Sequence, residues 1–369
     1  MTVLVAWQPL LTDHQRHTLD ALGHRLGNGP HYIVGREDDA ERGRQGWTQV
    51  AAPRAVLPRR GWFTWALRRL TRDPNTIHIF SSPFEDPRLI TILLVALVSR
   101  ERVWLISEPW SDSSQSYFGK SSTIFDRLKA LLRPIVYAIY GVVLKGRVEG
   151  IFAMSPLAIR QYRAVGIDKH RVHPFGYFVP LTAVGPNLHD HRELRCAFVG
   201  TLIARKGLAD FATALHSFSA ATGLPIIADV YGPGDPASVP APLTYRGRIE
   251  FGKTSAALAN YDLLIVPSRH DGWGVVVNEA IQAGTPVLAS NRTGASAMIE
   301  RWGCGAVFRA GDPEDLAIVL ARIAADPALL AVMRAAAAVL APLLTPAVAA
   351  DYMAAAIAGR PIPNPWYDA

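Results

Sequence analysis

The chain has 369 residues, half of them hydrophobic and 19% charged, with a formal net charge of +7. This composition excludes a disordered or collagen-like chain, and the length suffices for two domains of ordinary size. Two cysteines, Cys196 and Cys304, exclude a disulfide framework and predict reduced thiols in a cytoplasmic protein; no His/Cys cluster has zinc-site spacing. The charge is uneven: residues 1–185 carry 24 Lys+Arg against 15 Asp+Glu, net +9, and the remainder 14 against 16, net −2. A basic first half implies an anionic partner such as a membrane surface or a phosphorylated acceptor. Nucleic acid is not expected, because no recognisable nucleic-acid module is present.

In chain order, residues 3–7 read as a first strand; they are too short, and lack the basic start, to read as a secretory signal. Residues 13–26 read as a helix with Leu19, Leu22 and Leu26 at helical spacing. Residues 76–80 read as a strand, 88–99 as a helix, 103–107 as a strand, 125–143 as a helix or a pair, and 150–154 as a strand. Residues 155–165 open with Ser155-Pro156, a cap followed by Pro at the first helical position. Such alternation predicts a parallel sheet covered by helices. The longest apolar runs, residues 89–98 and 135–144, are shorter than the roughly 20 residues of a membrane-spanning helix.

A break over residues 180–191, rich in Pro, Gly, Asn and His, precedes a restart of the same pattern. Residues 195–199 read as a strand, 207–223 as a helix and 226–231 as a strand. Asp312-Pro313 and Asp326-Pro327 each start a helix, with a capping acid and Pro at the first position. Residues 346–358 form a short Ala-rich helix before the tail 361–369.

The most informative stretch follows the apolar run 263–266 and precedes a second run, 286–289. It reads Ser268-Arg269-His270-Asp271-Gly272-Trp273-Gly274-Val275-Val276-Val277-Asn278-Glu279-Ala280. This is a strand-loop-helix-strand unit with its loop at the carboxyl end of a strand. Its Gly residues permit close approach of a ligand, and its helix N-terminus suits a phosphate. Asp271 and Glu279 bracket seven residues. The segment resembles the acidic-x7-acidic motif of retaining, nucleotide-sugar-dependent glycosyltransferases of family 4, which have the GT-B fold. Asp271 stands where the family usually has Glu, and Trp273 where it has Phe. The resemblance implies that Asp271 and the main chain of Gly272, Trp273, Gly274 and Val275 hold the donor sugar and phosphates, and that Glu279 holds the ribose hydroxyls.

A second stretch, Phe198-Val199-Gly200-Thr201-Leu202-Ile203-Ala204-Arg205-Lys206-Gly207, resembles the first motif of the family's C-terminal domain. Lys206 matches its lysine. The usual arginine after Gly200 is Thr201 here, and Arg205 is the candidate replacement cation. Fixed cations at this point would stabilise negative charge on a departing diphosphate. Two adjacent cations at a helix start oppose the helix dipole, which favours an anionic ligand there. Val230-Tyr231-Gly232-Pro233-Gly234 and Thr244-Tyr245-Arg246-Gly247-Arg248 resemble further family pieces, and Arg248 is the candidate neighbour of the nucleobase. These pieces keep the family's order over about residues 195–325; the resemblance over residues 1–185 is looser.

The acceptor is expected in the first domain, at the loops after its strands. After residue 7 the loop runs Gln8-Pro9-Leu10-Leu11-Thr12-Asp13-His14, without the Gly pair common in the family, and His14 is the candidate contact. After residue 107 it begins Glu108-Pro109-Trp110-Ser111-Asp112, and Glu108 stands roughly where many relatives have a histidine that meets the donor sugar. Arg127, Lys129, Arg133, Lys145 and Arg147 flank apolar residues, and Trp62, Phe63 and Trp65 lie beside Arg59, Arg60, Arg68 and Arg69. Basic residues with aromatics suit an anionic membrane interface.

The expected architecture is α/β, two Rossmann-like domains facing each other across a cleft. Residues 1–182 would bind the acceptor, 190–345 the nucleotide-sugar, and 346–369 would cross back to the first domain. The expected activity is retaining transfer of a sugar from a nucleotide diphosphate donor to a glycan or lipid-linked acceptor. Cell-envelope polysaccharide or lipopolysaccharide assembly is the expected setting, peripheral to the inner face of the membrane, with no cofactor or metal required. The rival readings are a nucleotide-sugar epimerase or hydrolase on the same fold, and a non-catalytic nucleotide-sugar-binding protein.

Overall fold

A computed structural model of the chain describes residues 2–37, 50, 52–110, 124–182 and 193–368. Linker residues 183–191, loop residues Ser111 and Asp112, and tail residue Ala369 lie outside the described residues. Short apolar runs form two sheets in which all strand pairings are parallel. The first sheet contains β1 (Val3–Gln8), β2 (His31–Val34), β3 (Arg54–Val56), β4 (Thr76–Ser81), β5 (Arg102–Ser107), β6 (Gly150–Met154) and β7 (Val172–Phe175). Their order is β3-β2-β1-β4-β5-β6-β7. The second contains β8 (Leu194–Val199), β9 (Ile226–Tyr231), β10 (Thr244–Gly247), β11 (Leu263–Val266), β12 (Val287–Ser290) and β13 (Gly305–Phe308), in the order β10-β9-β8-β11-β12-β13.

Strands covered by helices on both faces must be apolar throughout, and β6 and β11 are buried at every residue. Strand order reverses between β1 and β4 in one sheet and between β8 and β11 in the other. Open sheets of this kind leave a crevice at the carboxyl ends of the strands beside such a reversal. The loops after β1, β8 and β11 begin there.

The Ala-rich helix Pro346–Ile357 lies against the helix Asp13–Leu26, where Arg25 Nε sits 2.5 Å from Asp351 Oδ1. The tail then enters the first unit. The Tyr367 hydroxyl accepts from Ser155 N (3.0 Å) and Phe175 N (2.9 Å) and donates to Phe175 O (2.7 Å). One hydroxyl offers one donor and two acceptor positions, so this set uses its capacity in full. Trp366 packs on Phe178 with ring centroids 4.4 Å apart. The C-terminal segment thus crosses back and is tied to the first sheet by both packing and hydrogen bonds.

Strands β2, β3, β7 and β13 were not expected from the sequence pattern. β3 has only three residues, and β7 contains Pro174, which cannot donate to a ladder. Both lie at sheet edges, where a missing donor costs least. Ser155 is not the ordinary extended cap that the Ser-Pro pair suggests. Its φ is +85°, a left-handed conformation, while its Oγ accepts from Ala158 N at 3.4 Å. The Tyr367 hydroxyl on Ser155 N helps hold that turn.

Candidate active site

The second unit supplies one wall. After β8, Gly200 N donates to Tyr231 O at 2.9 Å, and Gly200 and Thr201 are half-buried. A single 3-10 turn, Ala204–Lys206, ends at Gly207, whose φ is +75°. A Cβ at Gly207 would lie 1.9 Å from Pro267 O, so only glycine lets this turn press against the loop after β11. That contact brings Lys206 Nζ to 2.5 Å from Asp271 Oδ2. Burial pushes the Asp271 carboxyl up, but the ammonium of Lys206, with Arg205 and His270, outweighs it and holds Asp271 below the usual carboxylate range. Asp271 is therefore ionised at neutral pH.

Arg205 does not run alongside Lys206. Its side chain is buried, and Nη1 donates to His270 O at 2.5 Å, while its own carbonyl accepts from Arg269 N at 2.9 Å. Arg269 in turn holds Asp210 through two bonds, of 2.8 and 2.9 Å. Arg205 thus braces the loop that carries Asp271. The loop closes onto the segment after β12: Asp271 N donates to Arg292 O, and Gly294 N donates to Asp271 O, each at 3.0 Å.

Gly274, with φ +88°, turns this loop into the helix Val275–Gln282. The first amides of that helix leave a partial positive charge near Asp271 and Gly272. Trp273 points the other way. Its indole is buried against Gly176 and Tyr367 and donates to Asn278 Oδ1 at 2.9 Å, so only its main chain faces the crevice. One turn on, burial pushes the Glu279 carboxyl up to about 7, and a hydrogen bond from Thr254 opposes the rise only in part. Arg248, just past β10, is exposed.

The first unit supplies the facing wall. Glu108, just past β5, touches the Asp271 loop: a Cβ at Gly272 would lie 2.3 Å from Glu108 Oε2. Tyr177 donates to Glu108 Oε1 at 2.7 Å, and its ring meets His14 edge-on with centroids 4.4 Å apart. His14 Nε2 lies 3.1 Å from Thr12 Oγ1. The backbone beside Tyr177 is fixed from the second unit, because Asn278 Nδ2 donates to Tyr177 O at 2.9 Å. Sequence reasoning missed Tyr177, which joins His14 and Glu108. No pattern in the sequence marked it, because the strand it follows, β7, left no periodicity of its own. Behind Glu108 lies a cavity of about 150 Å³ bounded by Glu85, Ser107, Tyr137, Tyr140 and Tyr162. Burial raises the Tyr140 and Tyr162 phenols, so both are neutral donors at pH 7.

The crevice therefore brings together Lys206, Asp271, Gly272, Gly274 and Val275 from one unit and Glu108, Tyr177 and His14 from the other. Arg205 and the Trp273 indole lie beneath it. A fixed cation beside helix amides can hold an anion such as a diphosphate. The half-buried carboxyl of Glu279, one turn on, can accept from a diol.

Residues 193–326, about a third of the chain, match the family model described as Glycosyl transferases group 1. A D-inositol 3-phosphate glycosyltransferase of Nocardiopsis dassonvillei is 35% identical over 85 residues, which cover 22% of this chain and 20% of that protein. The chain thus matches about a fifth of the length of this curated relative. Among solved structures, HepE of Anabaena in complex with UDP and glucose aligns over 96% of this chain and 100% of its own, at 13% identity and a TM-score of 0.66. WaaG, a glycosyltransferase involved in lipopolysaccharide biosynthesis, aligns over 96% and 100%, at 15% identity and 0.59. The lipopolysaccharide outer core galactosyltransferase WaaB aligns over 97% and 99%, at 14% identity and 0.65. At these identities the likeness establishes the fold, two Rossmann-like domains in the GT-B arrangement.

Proposed function

We propose that this chain is a glycosyltransferase that moves a sugar from a nucleotide diphosphate donor to a hydroxyl of a glycan or lipid-linked acceptor, with retention at the anomeric carbon. The observation that carries the reading is the Lys206–Asp271 pair, 2.5 Å apart beside the N-terminus of the helix Val275–Gln282, with Glu108 of the other unit packed against the adjacent Gly272. The family match over residues 193–326 supports it.

In this reading the anomeric carbon–oxygen bond to the diphosphate breaks and a bond to the acceptor oxygen forms. The electron pair of the broken bond leaves with the diphosphate. Lys206 has three N–H donors, so it can keep Asp271 and still take a phosphate oxygen. Stabilisation by Lys206 and the helix amides grows as the leaving charge grows, which is the condition for a rate effect. The acceptor proton passes to an oxygen of the departing phosphate on the same face of the sugar. Asp271 holds sugar hydroxyls, Glu279 the ribose diol, and Arg248 lies along the base. Glu108, oriented by Tyr177, receives the acceptor or the sugar from the opposite wall. Envelope polysaccharide or lipopolysaccharide assembly is the proposed setting, supported by the fold shared with WaaG and WaaB.

A thermal-shift panel of UDP-, GDP-, ADP- and dTDP-sugars tests the donor site. A ligand at about 100 times its dissociation constant adds about 2.7 kcal/mol of stability. A shift with one nucleotide family, lost in Lys206→Ala and Glu279→Ala, is the expected result. Acceptor-dependent release of nucleotide diphosphate then separates transfer from epimerisation, hydrolysis and mere binding. No shift with any donor would overturn the reading.

A further inference from the structure

The helix Ile124–Leu144 presents two faces of different character. Tyr140, Gly141 and Leu144 are buried against the first unit, and Tyr137 stacks on Trp110 at 4.0 Å. The packing is close: a Cβ at Gly141 would lie 2.6 Å from the Val165 side chain. Away from this seam the helix exposes Leu128, Leu131, Leu132, Ile135, Ile139 and Val142, with Leu131 at 74% and Val142 at 71% exposure. At about 100° per residue these six fall within an arc of about 100°, opposite Tyr137 and Leu144. A soluble monomer seldom leaves so continuous an apolar ridge in water. The ridge runs most of the length of a 21-residue helix, about 30 Å.

Charge selects the occupant. Residues 124–147 contain Arg127, Lys129, Arg133, Lys145 and Arg147 against Asp126 alone, a net of +4. Lys145 and Arg147 are exposed at the helix end. An apolar face on a segment of net positive charge, with Lys145 and Arg147 exposed at its end, matches the boundary between acyl chains and anionic headgroups. Among the described residues no single helix is long and apolar enough to cross a membrane. Ile124–Leu144 fits as a helix lying in the interface plane.

We infer that the outward face of the helix Ile124–Leu144 docks on an anionic lipid bilayer. The inward face of the same helix gives the docking its consequence. Tyr137 and Tyr140 line the cavity that ends at Glu108, so a hydroxyl-bearing acceptor anchored in that bilayer meets the first unit beside the donor loop. The docking inference stands on the helix alone, while the identity of the acceptor rests on the proposed transferase activity.

Co-sedimentation of the full chain with vesicles of phosphatidylcholine, with and without 30% phosphatidylglycerol, tests it. Binding to the anionic vesicles and little to the neutral ones is expected, falling as salt rises. The triple variant Leu131→Glu, Ile135→Glu, Ile139→Glu should lower partitioning at least about tenfold, and Lys145→Glu with Arg147→Glu by about fivefold or more. Donor-induced thermal shifts, measured in parallel, should stay at the wild-type value, which separates failure of docking from failure of the transferase reading. Should the triple variant not fold, the fully surface-borne Lys145/Arg147 pair carries the test. No binding by the wild-type chain, or binding undiminished in the variants, would overturn the inference. So would a dimer seen by light scattering that the same substitutions dissolve while vesicles capture nothing, since the ridge would then belong between two copies of this chain.

Discussion

Glu279→Gln and a change of pH perturb the same group in the proposed donor site. The Glu279 carboxyl is raised by burial to about 7 in the free protein, with Thr254 offsetting part of the rise. Ribose hydroxyls donate well to a carboxylate, so the proposed donor complex requires the ionised form. Below the free-protein value binding must first remove a proton, and its cost grows with each pH unit. With a value near 7, the donor dissociation constant should fall about tenfold between pH 6 and pH 8. The stability of the free protein should move oppositely. A carboxyl whose folded value lies above its unfolded one contributes stability at low pH, which is lost as pH rises from about 4.5 to 7. The assay is isothermal titration with an intact nucleotide diphosphate sugar, whose phosphates do not titrate in this range. A free nucleotide diphosphate is unsuitable, because its terminal phosphate titrates near 6, as phosphate monoesters do at about 6. Glu279→Gln keeps the side-chain shape but cannot ionise. It should flatten the pH response and weaken binding at pH 8 by about 1.5–3 kcal/mol, the range for a hydrogen bond to a charged group. A wild-type affinity that does not change between pH 6 and 8, or an equal slope in the variant, would refute the role given to Glu279.

Lys206→Ala removes the cation beside Asp271 and should lower kcat by about 10²–10³, the usual cost of losing one such donor, as read by acceptor-dependent nucleotide release. Tyr177→Phe frees Glu108 from its 2.7 Å bond and should reduce turnover by up to about 10² while leaving the donor dissociation constant unchanged. Gly207→Ala forces a left-handed residue and a Cβ 1.9 Å from Pro267 O; denaturant unfolding should show a loss above about 1 kcal/mol, together with weaker donor binding. Tyr367→Phe strips the acceptor from the Ser155 and Phe175 amides, at a cost of about 1–3 kcal/mol in the same unfolding assay, with donor affinity preserved.

The parallel α/β character of the chain was legible from residue order alone. Runs such as Leu263–Val266 and Gly150–Met154 are too short for helices and too apolar for a half-exposed strand, so they must lie between helical layers. Asp312 and Asp326 marked helix starts through local chemistry, each accepting from amides two or three residues on. Lys206 and Asp271 were legible through the resemblance of their motifs to those of nucleotide-sugar-dependent glycosyltransferases, and for Lys206 also through the need of a departing diphosphate for a cation. Edge strands β3 and β7 escaped, since three residues or a Pro leave no periodicity to detect.

What the tertiary structure decided is direction and partnership. Periodicity names a residue's neighbours along the chain, but not those that a fold brings together from 65 or more residues away. It could not show that Arg205 braces His270 from below while Lys206 faces Asp271, although the two are adjacent. Nor could it show that the Trp273 indole turns into the contact between the units, because that depends on the space left by Gly176, almost 100 residues earlier. Tyr177 became part of the site only when the end of β7, the loop after β5 and the helix Val275–Gln282 met at one point. The residue types suited to phosphate and hydroxyl chemistry were written in the sequence; which of them face the crevice was settled by packing across the two sheets.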